Sequence, residues 1–328
     1  MKKKISEKIS EKTIINKLLK KLNYNKLGTF NFENDAGYIN ASKNYKTIVT
    51  TDTITENIDF FSNDPPESIA QKIFCTNLSD LSAMGSFPKA YTLNLSLNAK
   101  IHKNWLNKFI RRLNVLQKKY NIYLIGGDIS KSKELSFTAT FFGNAKLKYI
   151  IPQNKCSIDD DIWVTGNLGN SYIGYRIFTN EKFKISKNNI NFFKKNYLYP
   201  NPCMFGSTIS KFINSATDIS DGLYGDLNKI LNNKFGAKIN IKKIPISNKL
   251  KHIISENFLK INIDSILNWG DDYELLFTSD KKNRNKINNL AKKNKIKLSI
   301  VGTVIKKKGI FNDSSVLIKN ISSFDHFW

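Results

Sequence analysis

The chain has 328 residues, 41% of them hydrophobic, enough for one large domain or two ordinary ones with real cores. Lys and Arg outnumber Asp and Glu by 52 to 27, giving a formal charge of +25. The bases are almost all Lys, scattered among Asn and Ile, with Arg only at Arg111, Arg112, Arg176 and Arg284; this is compositional bias, not the Arg-rich surface that reads nucleic acid. No apolar run approaches the ~18 residues that span a bilayer, and Cys75, Cys156 and Cys203 lack metal-ligand spacing, so a soluble, cytoplasmic protein is expected.

Residues 1–26 are Lys-rich, with Ile14, Ile15, Leu18, Leu19 and Leu22 on one helical face, and form an N-terminal helical segment. A turn region from Gly28 to Gly37 contains Glu33, Asn34 and Asp35. Lys46 to Thr53 reads as a strand delivering Asp52 at its end. A long helix follows, with Asp64 as cap, Pro65 in its first position and Glu67 in a capping box. Ile69, Ile73, Phe74, Leu78, Leu81 and Met84 recur along it, and Gly85 with Pro88 ends it. Ala90 to Leu97 alternates as a strand, His102 to Tyr120 is an amphipathic helix, and Ile122 to Ile125 is a short strand running into Gly126, Gly127 and Asp128. Another strand covers Leu135 to Phe142. The pattern loosens between Ile150 and Asp160, which divides a domain at 27–149 from one at 150–328. The second opens with strand Ile162 to Thr165, the loop Gly166-Asn167-Leu168-Gly169 and a helix. An acidic turn from Asp218 to Leu223 precedes a helix, and strands at Lys238–Ile241 and Leu298–Val304 flank Trp269-Gly270-Asp271-Asp272-Tyr273-Glu274.

Acids are scarce, yet Asp35, Asp52, Asp80, Asp128, Asp218 and Asp221 stand at strand ends, beside glycines or at a helix end. Any one of them can be an ordinary turn or cap residue. Together they supply the hard oxygen ligands that Mg²⁺ takes when it also holds phosphates and water. Asp80 falls in the last turn of its helix, where a carboxylate meets the negative end of the dipole at a cost of up to about 1 kcal/mol; no Lys or Arg lies between Lys72 and Lys89 to relieve it. The alternatives are a metal ion there or an Asp that tilts into solvent. The chain has no zinc spacing, no P-loop sequence and no nucleophile elbow. Gly166 to Gly169 before a helix offers backbone N–H groups to an anion, or is a plain strand-to-helix turn.

The motifs, taken in order, resemble thiamine-monophosphate kinases, within the aminoimidazole ribonucleotide synthetase superfamily. The resemblance runs from about Gly28 to Phe327 and rests on Thr51-Asp52-Thr53, Asn77 to Gly85, Gly126-Gly127-Asp128, Asp218 to Leu223, Asp272-Tyr273-Glu274-Leu275 and Phe324-Asp325-His326-Phe327. It implies an α/β (α+β) two-domain fold, an N-terminal mixed-sheet domain that binds ATP and Mg²⁺ and dimerises, and a C-terminal α+β domain. It also implies γ-phosphoryl transfer from ATP to thiamine monophosphate, with several Mg²⁺ ions and no covalent enzyme intermediate, in a homodimer that needs no nucleic acid or membrane. Asp35, Thr51, Asp52, Asp80, Asp128, Asp218 and Asp221 are the implied metal positions; Gly127, Asp128, Gln153 and Ser220 the ATP contacts; Asp59, Asp271 and Phe324 the acceptor contacts. Three positions depart from the family: Asn34 replaces an Asp, Asp59 stands where a His is usual, and Gln153 replaces an Arg, with Lys155 close by. The alternatives are a sister enzyme such as aminoimidazole ribonucleotide synthetase and, from another class, a basic nucleic-acid-binding protein; selenophosphate synthesis would need a reactive N-terminal Cys, and the first here is Cys75.

Overall fold

The computed structural model of the chain describes residues 13–24, 26, 29, 39, 43–179, 185–255, 261–319 and 321. It divides into two compact units, Met1–Leu81 with Phe87–Lys146, and Ser82–Ser86 with Leu147–Trp328.

The first unit is a four-stranded mixed sheet under helices. Its strands are β1 (Tyr45–Thr55), β2 (Phe87–Leu97), β3 (Tyr123–Lys131) and β4 (Ser136–Lys146), in spatial order β1-β4-β2-β3. β1, β4 and β2 pair antiparallel, while β2 and β3 pair parallel. The parallel pair needs a crossover, which α2 (Lys103–Tyr120) supplies. α1 (Pro66–Ala83) connects β1 to β2. Strict alternation along β4 sends Phe137, Ala139 and Phe141 into the core. There Phe74 of α1 meets Phe141 edge-on at 5.0 Å, and Phe109 of α2 stacks on Phe137 at 5.0 Å. Each fully buried ring contributes about 1.5–3 kcal/mol. Tyr91 donates to Gln117 Oε1 at 2.7 Å, and Gln117 donates to Leu22 O at 2.8 Å, so a buried amide fastens the N-terminal turns Ile14–Leu18 and Leu19–Leu22 onto α2.

Helix ends follow local chemistry. His102 caps α2, its Nδ1 accepting from Trp105 N–H, and Asn121 ends it at φ +52°. Gly85 at φ +69° turns the chain out of α1. Asp64 acts one turn earlier than expected: its carboxylate accepts Phe61 N–H at 3.0 Å, and α1 starts at Pro66.

The second unit is built on a six-stranded sheet of β5 (Asp161–Thr165), β6 (Ser215–Asp218), β7 (Gly236–Ile239), β8 (Leu275–Ser279), β9 (Leu298–Ile305) and β10 (Gly309–Phe311), in order β10-β7-β9-β5-β8-β6. Only β10 and β7 pair parallel among these described strands. Both faces are covered, so β5 and β8 read as continuous buried runs. Ile162, Val164 and Leu276 point to one core, and Trp163 stacks on Phe277 in the other. The helices are α3 (Asn170–Phe178), α4 (Lys187–Leu198), α5 (Gly206–Ile209), α6 (Leu223–Leu231), α7 (Asn248–Ser255), α8 (Ile263–Leu267) and α9 (Arg284–Lys293). Arg284 forks onto the fully buried Asp161 carboxylate at 2.5 and 2.6 Å, the partner a buried charge requires. Mixed sheets with segregated and interleaved helices make this the two-domain α/β (α+β) architecture expected.

Candidate functional site

In the first unit the acids divide between the two faces of the sheet. β1 continues to Thr55, so Asp52 lies inside the strand, not at its end. Its neighbours of like parity, Thr50 and Ile54, face the helices, and Ile54 is buried. Thr50 Oγ1 donates to Asp80 Oδ2 at 2.6 Å, which puts Asp80 of α1 over the face that carries Asp52. Thr51 has the opposite parity, and its hydroxyl is engaged with Ala139 O at 3.2 Å and Thr140 Oγ1 at 3.0 Å.

Gly126, Gly127 and Asp128 lie within edge strand β3 and do not form a turn. Register fixes their direction: Asp128 pairs with Asn94, Asn94 with Thr138, and Thr138 with Thr53. Thr53 and Thr138 hydroxyls meet at 2.8 Å, and two residues on, Ser96 and Ser130 meet at 3.0 Å. Asp128 therefore belongs to the hydroxyl-rich outer face, opposite to Asp52 and Asp80, and is exposed. A Cβ on Gly127 would fall 1.9 Å from Leu93 O, so only glycine permits the pairing that sets Asp128 there. Asp59 turns inward: its Oδ2 accepts Thr55 N–H at 2.7 Å, and Lys72 Nζ donates to its carbonyl at 2.8 Å.

The second unit gathers the remaining acids on two hydrogen-bonded segments. Asp218 ends β6, and the chain beyond stays paired with 271–274: Ile219 N–H donates to Glu274 O at 2.8 Å, Tyr273 N–H to Ile219 O at 2.9 Å and Asp271 N–H to Ser220 O at 3.0 Å. A Cβ on Gly270 would fall 1.6 Å from Ser220 O, so this approach requires glycine. Asp271 sits at φ +62°, its Oδ1 accepting from Tyr273 OH at 2.7 Å. Gln153 donates to Thr217 Oγ1 at 3.2 Å, beside Asp218 on the outer edge of the sheet. The second unit thus brings Gln153, Asp218, Ser220, Asp221 and Asp271 into one neighbourhood. Asp35, its neighbour Asn34, and Phe324 lie outside the described residues.

Four further acidic or basic groups enter this neighbourhood: Asp226 and Lys229 lie outside the motifs, and Asp272 and Glu274 lie in one of them without an assigned role. Asp226 is buried in α6; burial lifts its carboxyl to about 6 although Lys229 and the Asp221 N–H pull it down. Lys229 bridges Asp226 and Asp221, which hold its ammonium above the ordinary range. Asp272, pushed well up by burial, accepts both Gly169 N–H, at 2.9–3.0 Å, and Ser171 Oγ, at 3.0 Å. Glu274, raised by burial to about 7, accepts Thr165 Oγ1 at 2.6 Å and Asn167 N–H. The Gly166–Gly169 turn therefore spends its amides within the chain, Asn167 and Gly169 on carboxylates and Gly166 and Leu168 on the carbonyls of Lys297 and Pro245, and the anion-binding alternative gives way to the plain turn. The sequence signal for Asp226 was an acid at a core-facing position between Leu223, Leu227 and Ile230. Asn167, Asn170, Asn196, Asn201, Asp271 and Glu274 help line a cavity of about 190 Å³. Cys203 beside Glu274 is raised to about 12 by burial and that neighbouring acid, so no thiolate nucleophile forms there at neutral pH.

The donor set bears on the metal. Among the described residues no three His, Cys, Asp or Glu side chains converge. All the candidate donors are oxygens presented singly or in pairs, which suits Mg²⁺: it uses one or two carboxylates and completes its shell with phosphates and water.

Comparison with known proteins identifies the family. The chain matches the models of the AIR synthase related protein N-terminal domain over residues 33–145 and C-terminal domain over residues 159–312. It is 36% identical to the thiamine-monophosphate kinase of Buchnera aphidicola subsp. Acyrthosiphon pisum, with 89% of this chain and 91% of that relative covered. The crystal structure of thiamine-monophosphate kinase from Stenotrophomonas maltophilia superposes with a TM-score of 0.77 at 29% identity, covering 86% and 89% of the two chains. The structure of AaThiL complexed with AMPPCP and TMP gives 0.77 at 26%, covering 89% and 91%. With the acids of two motif segments on hydrogen-bonded stretches of chain and a relative of this identity over nearly its whole length, the chain belongs to the thiamine-monophosphate kinase family of AIR synthase related proteins.

Proposed function

We propose that this protein transfers the γ-phosphoryl group of ATP to thiamine monophosphate, yielding thiamine diphosphate and ADP. An oxygen of the acceptor phosphate attacks the γ-phosphorus, and the bond to the β-phosphate oxygen breaks; no enzyme-bound phosphate is needed. The observation that supports this reading is the backbone pairing of 218–221 with 271–274, which brings Asp218, Ser220 and Asp221 beside Asp271. Holding two anionic phosphates together is the main difficulty: unit charges at 4 Å repel by about 4 kcal/mol at an effective dielectric of 20. Mg²⁺ would neutralise charge on the phosphates of donor and acceptor when bound. Asp52, Asp80, Asp218 and Asp221, with Asp35, Asp128 and Thr51, would hold it; Gly127, Ser220 and Gln153 would orient the nucleotide. Asp271 and Phe324 would face the cationic thiazolium, and Asp59 joins them if its carboxylate leaves Thr55. Diffuse surface Lys contributes little at this range because salt screens it beyond about 8 Å.

The working unit in this reading is a homodimer. Support comes from the outer face of the first sheet, where Val49, Phe87 and Tyr45 are 56%, 57% and 37% exposed. Support comes also from register, since Asp128 and Asp52 face opposite ways and a second copy lets one site use both. No described helix is long and apolar enough to cross a membrane, and the free thiols of Cys75, Cys156 and Cys203 suit a cytoplasmic location. ADP release from purified protein, measured with and without thiamine monophosphate and with EDTA, tests the reading. Turnover should need both acceptor and Mg²⁺; equal turnover without acceptor, or robust turnover in EDTA, overturns it.

A further inference from the structure

The turn 218–221 is held from the core side by a carboxylate that nothing above assigns to the reaction. Asp226 has no exposed surface. Its Oδ2 accepts Ser220 N–H and Asp221 N–H, both at 3.0 Å, and its Oδ1 accepts from Lys229 Nζ at 2.7 Å. The same ammonium reaches Asp221 Oδ2 at 2.6 Å. On the other side, Ser220 O takes the Asp271 N–H at 3.0 Å.

A buried carboxylate survives folding only when donors surround it, and here three converge on one group. Two of them are consecutive backbone amides. One oxygen can accept both only in a single conformation of the Ser220–Asp221 peptide, so the side chains of these residues leave the turn in fixed directions. Remove the acceptor and both amides lose their partner; the turn must then open towards water to satisfy them. Lys229 supplies the opposite charge that lets Asp226 stay ionised in the core, and it ties Asp221 to the same point.

We propose that Asp226 is a positioning residue for phosphoryl transfer, clamping the 220–221 amides so that Asp218, Ser220 and Asp221 meet the nucleotide in one geometry. This rests on the reading of that turn as the nucleotide-contacting turn. The residue touches neither substrate nor metal and acts through the turn alone.

The test separates position from stability. Breaking one half of a buried ion pair is strongly destabilising, whereas replacing both halves by apolar groups of similar volume is often neutral. The full-length Asp226→Leu/Lys229→Met double variant should therefore melt close to the wild type while losing the acceptor. Amide hydrogen exchange at Ser220 and Asp221 should speed by about tenfold or more, with the β6–β8 amides unchanged. Calorimetric affinity for a non-hydrolysable ATP analogue with Mg²⁺ should fall by a similar factor. Lys229→Met alone keeps the acceptor and should leave both amides protected. Tyr224→Phe, which removes from the helix of Asp226 a 3.1 Å bond to Asp264 of α8, should lower the melting temperature without exposing the two amides. Unchanged exchange in the double variant overturns the proposal. So does the same exchange pattern in Tyr224→Phe, which would show general loosening of α6, or in Lys229→Met, which would give the role to the ammonium. A wild-type chain that binds the analogue but fails to phosphorylate thiamine monophosphate refutes the function above and leaves the exchange result to decide the clamp by itself.

Discussion

Thr50 Oγ1 and Asp80 Oδ2 lie 2.6 Å apart, joining β1 to the final turns of α1 on the face that also carries Asp52. The hydroxyl donates to a carboxylate at the negative end of the helix, where the last turn itself carries no basic residue. The bond fixes the Asp80 carboxylate beside Asp52, where the proposed metal site lies.

Asp80→Asn should therefore lower kcat by on the order of 100-fold, the scale of losing one group that stabilises developing charge. Asn keeps an oxygen for the Thr50 hydroxyl, so the fold should survive the change and the loss should appear in kcat. Asp52→Asn should cost a similar factor, and the double variant far less than the product of the two. Thermal melts alongside kinetics at saturating Mg²⁺ check this; a near-normal kcat removes the metal role.

A shared site between two copies has a distinctive signature. Asp52→Asn and Asp128→Asn should each be nearly inactive as homodimers. Mixing them under exchange conditions should restore about one quarter of wild-type activity, because half the dimers are mixed and each mixed dimer has one intact site. Absence of recovery despite demonstrated subunit exchange would place both acids in one chain's site.

Glu274 makes stability depend on pH. Its carboxyl rises from an ordinary 4.5 to about 7 because burial penalises the charge. Between these values the unfolded chain has lost the proton and the folded chain retains it, so stability falls as pH rises from about 4.5 to 7 and is flat above. The loss is of order 1–3 kcal/mol. Asp226 adds the same sign between 3.8 and about 6. Urea unfolding at pH 5, 6, 7 and 8 should show the decline, and Glu274→Gln should flatten its upper part.

Asp59 is committed to Thr55 N–H in this structure. Asp59→Ala should cost about 1 kcal/mol, as loss of a capping carboxylate does. KM for thiamine monophosphate should change less than twofold if the carboxylate stays on that amide throughout. A several-fold rise in that KM, with KM for ATP and the melting temperature steady, would instead give Asp59 to the acceptor.

Much was legible in sequence because local rules acted alone. The long helix ended by Gly85, the periodicity of 103–120 and the apolar run of β5 follow from propensity, capping and burial on one or both faces, whereas β8, behind the Asp272–Leu275 motif, was not read as a strand. The acids to watch were also visible, because they stand against scarcity in a basic chain. Tertiary structure decided which way they face. A strand's side chains alternate with a period of two, so only pairing register could set Asp128 opposite to Asp52, and that register depends on partners distant in sequence. Likewise the amides of Gly169, Ser220 and Asp221 were free to serve a ligand or the chain; Asp272 and Asp226, folded back from 103 and 5–6 residues away, took them. Local sequence determines which groups are present and which element carries them, whereas the competition for each donor is settled by whatever acceptor the packed chain brings within 3 Å.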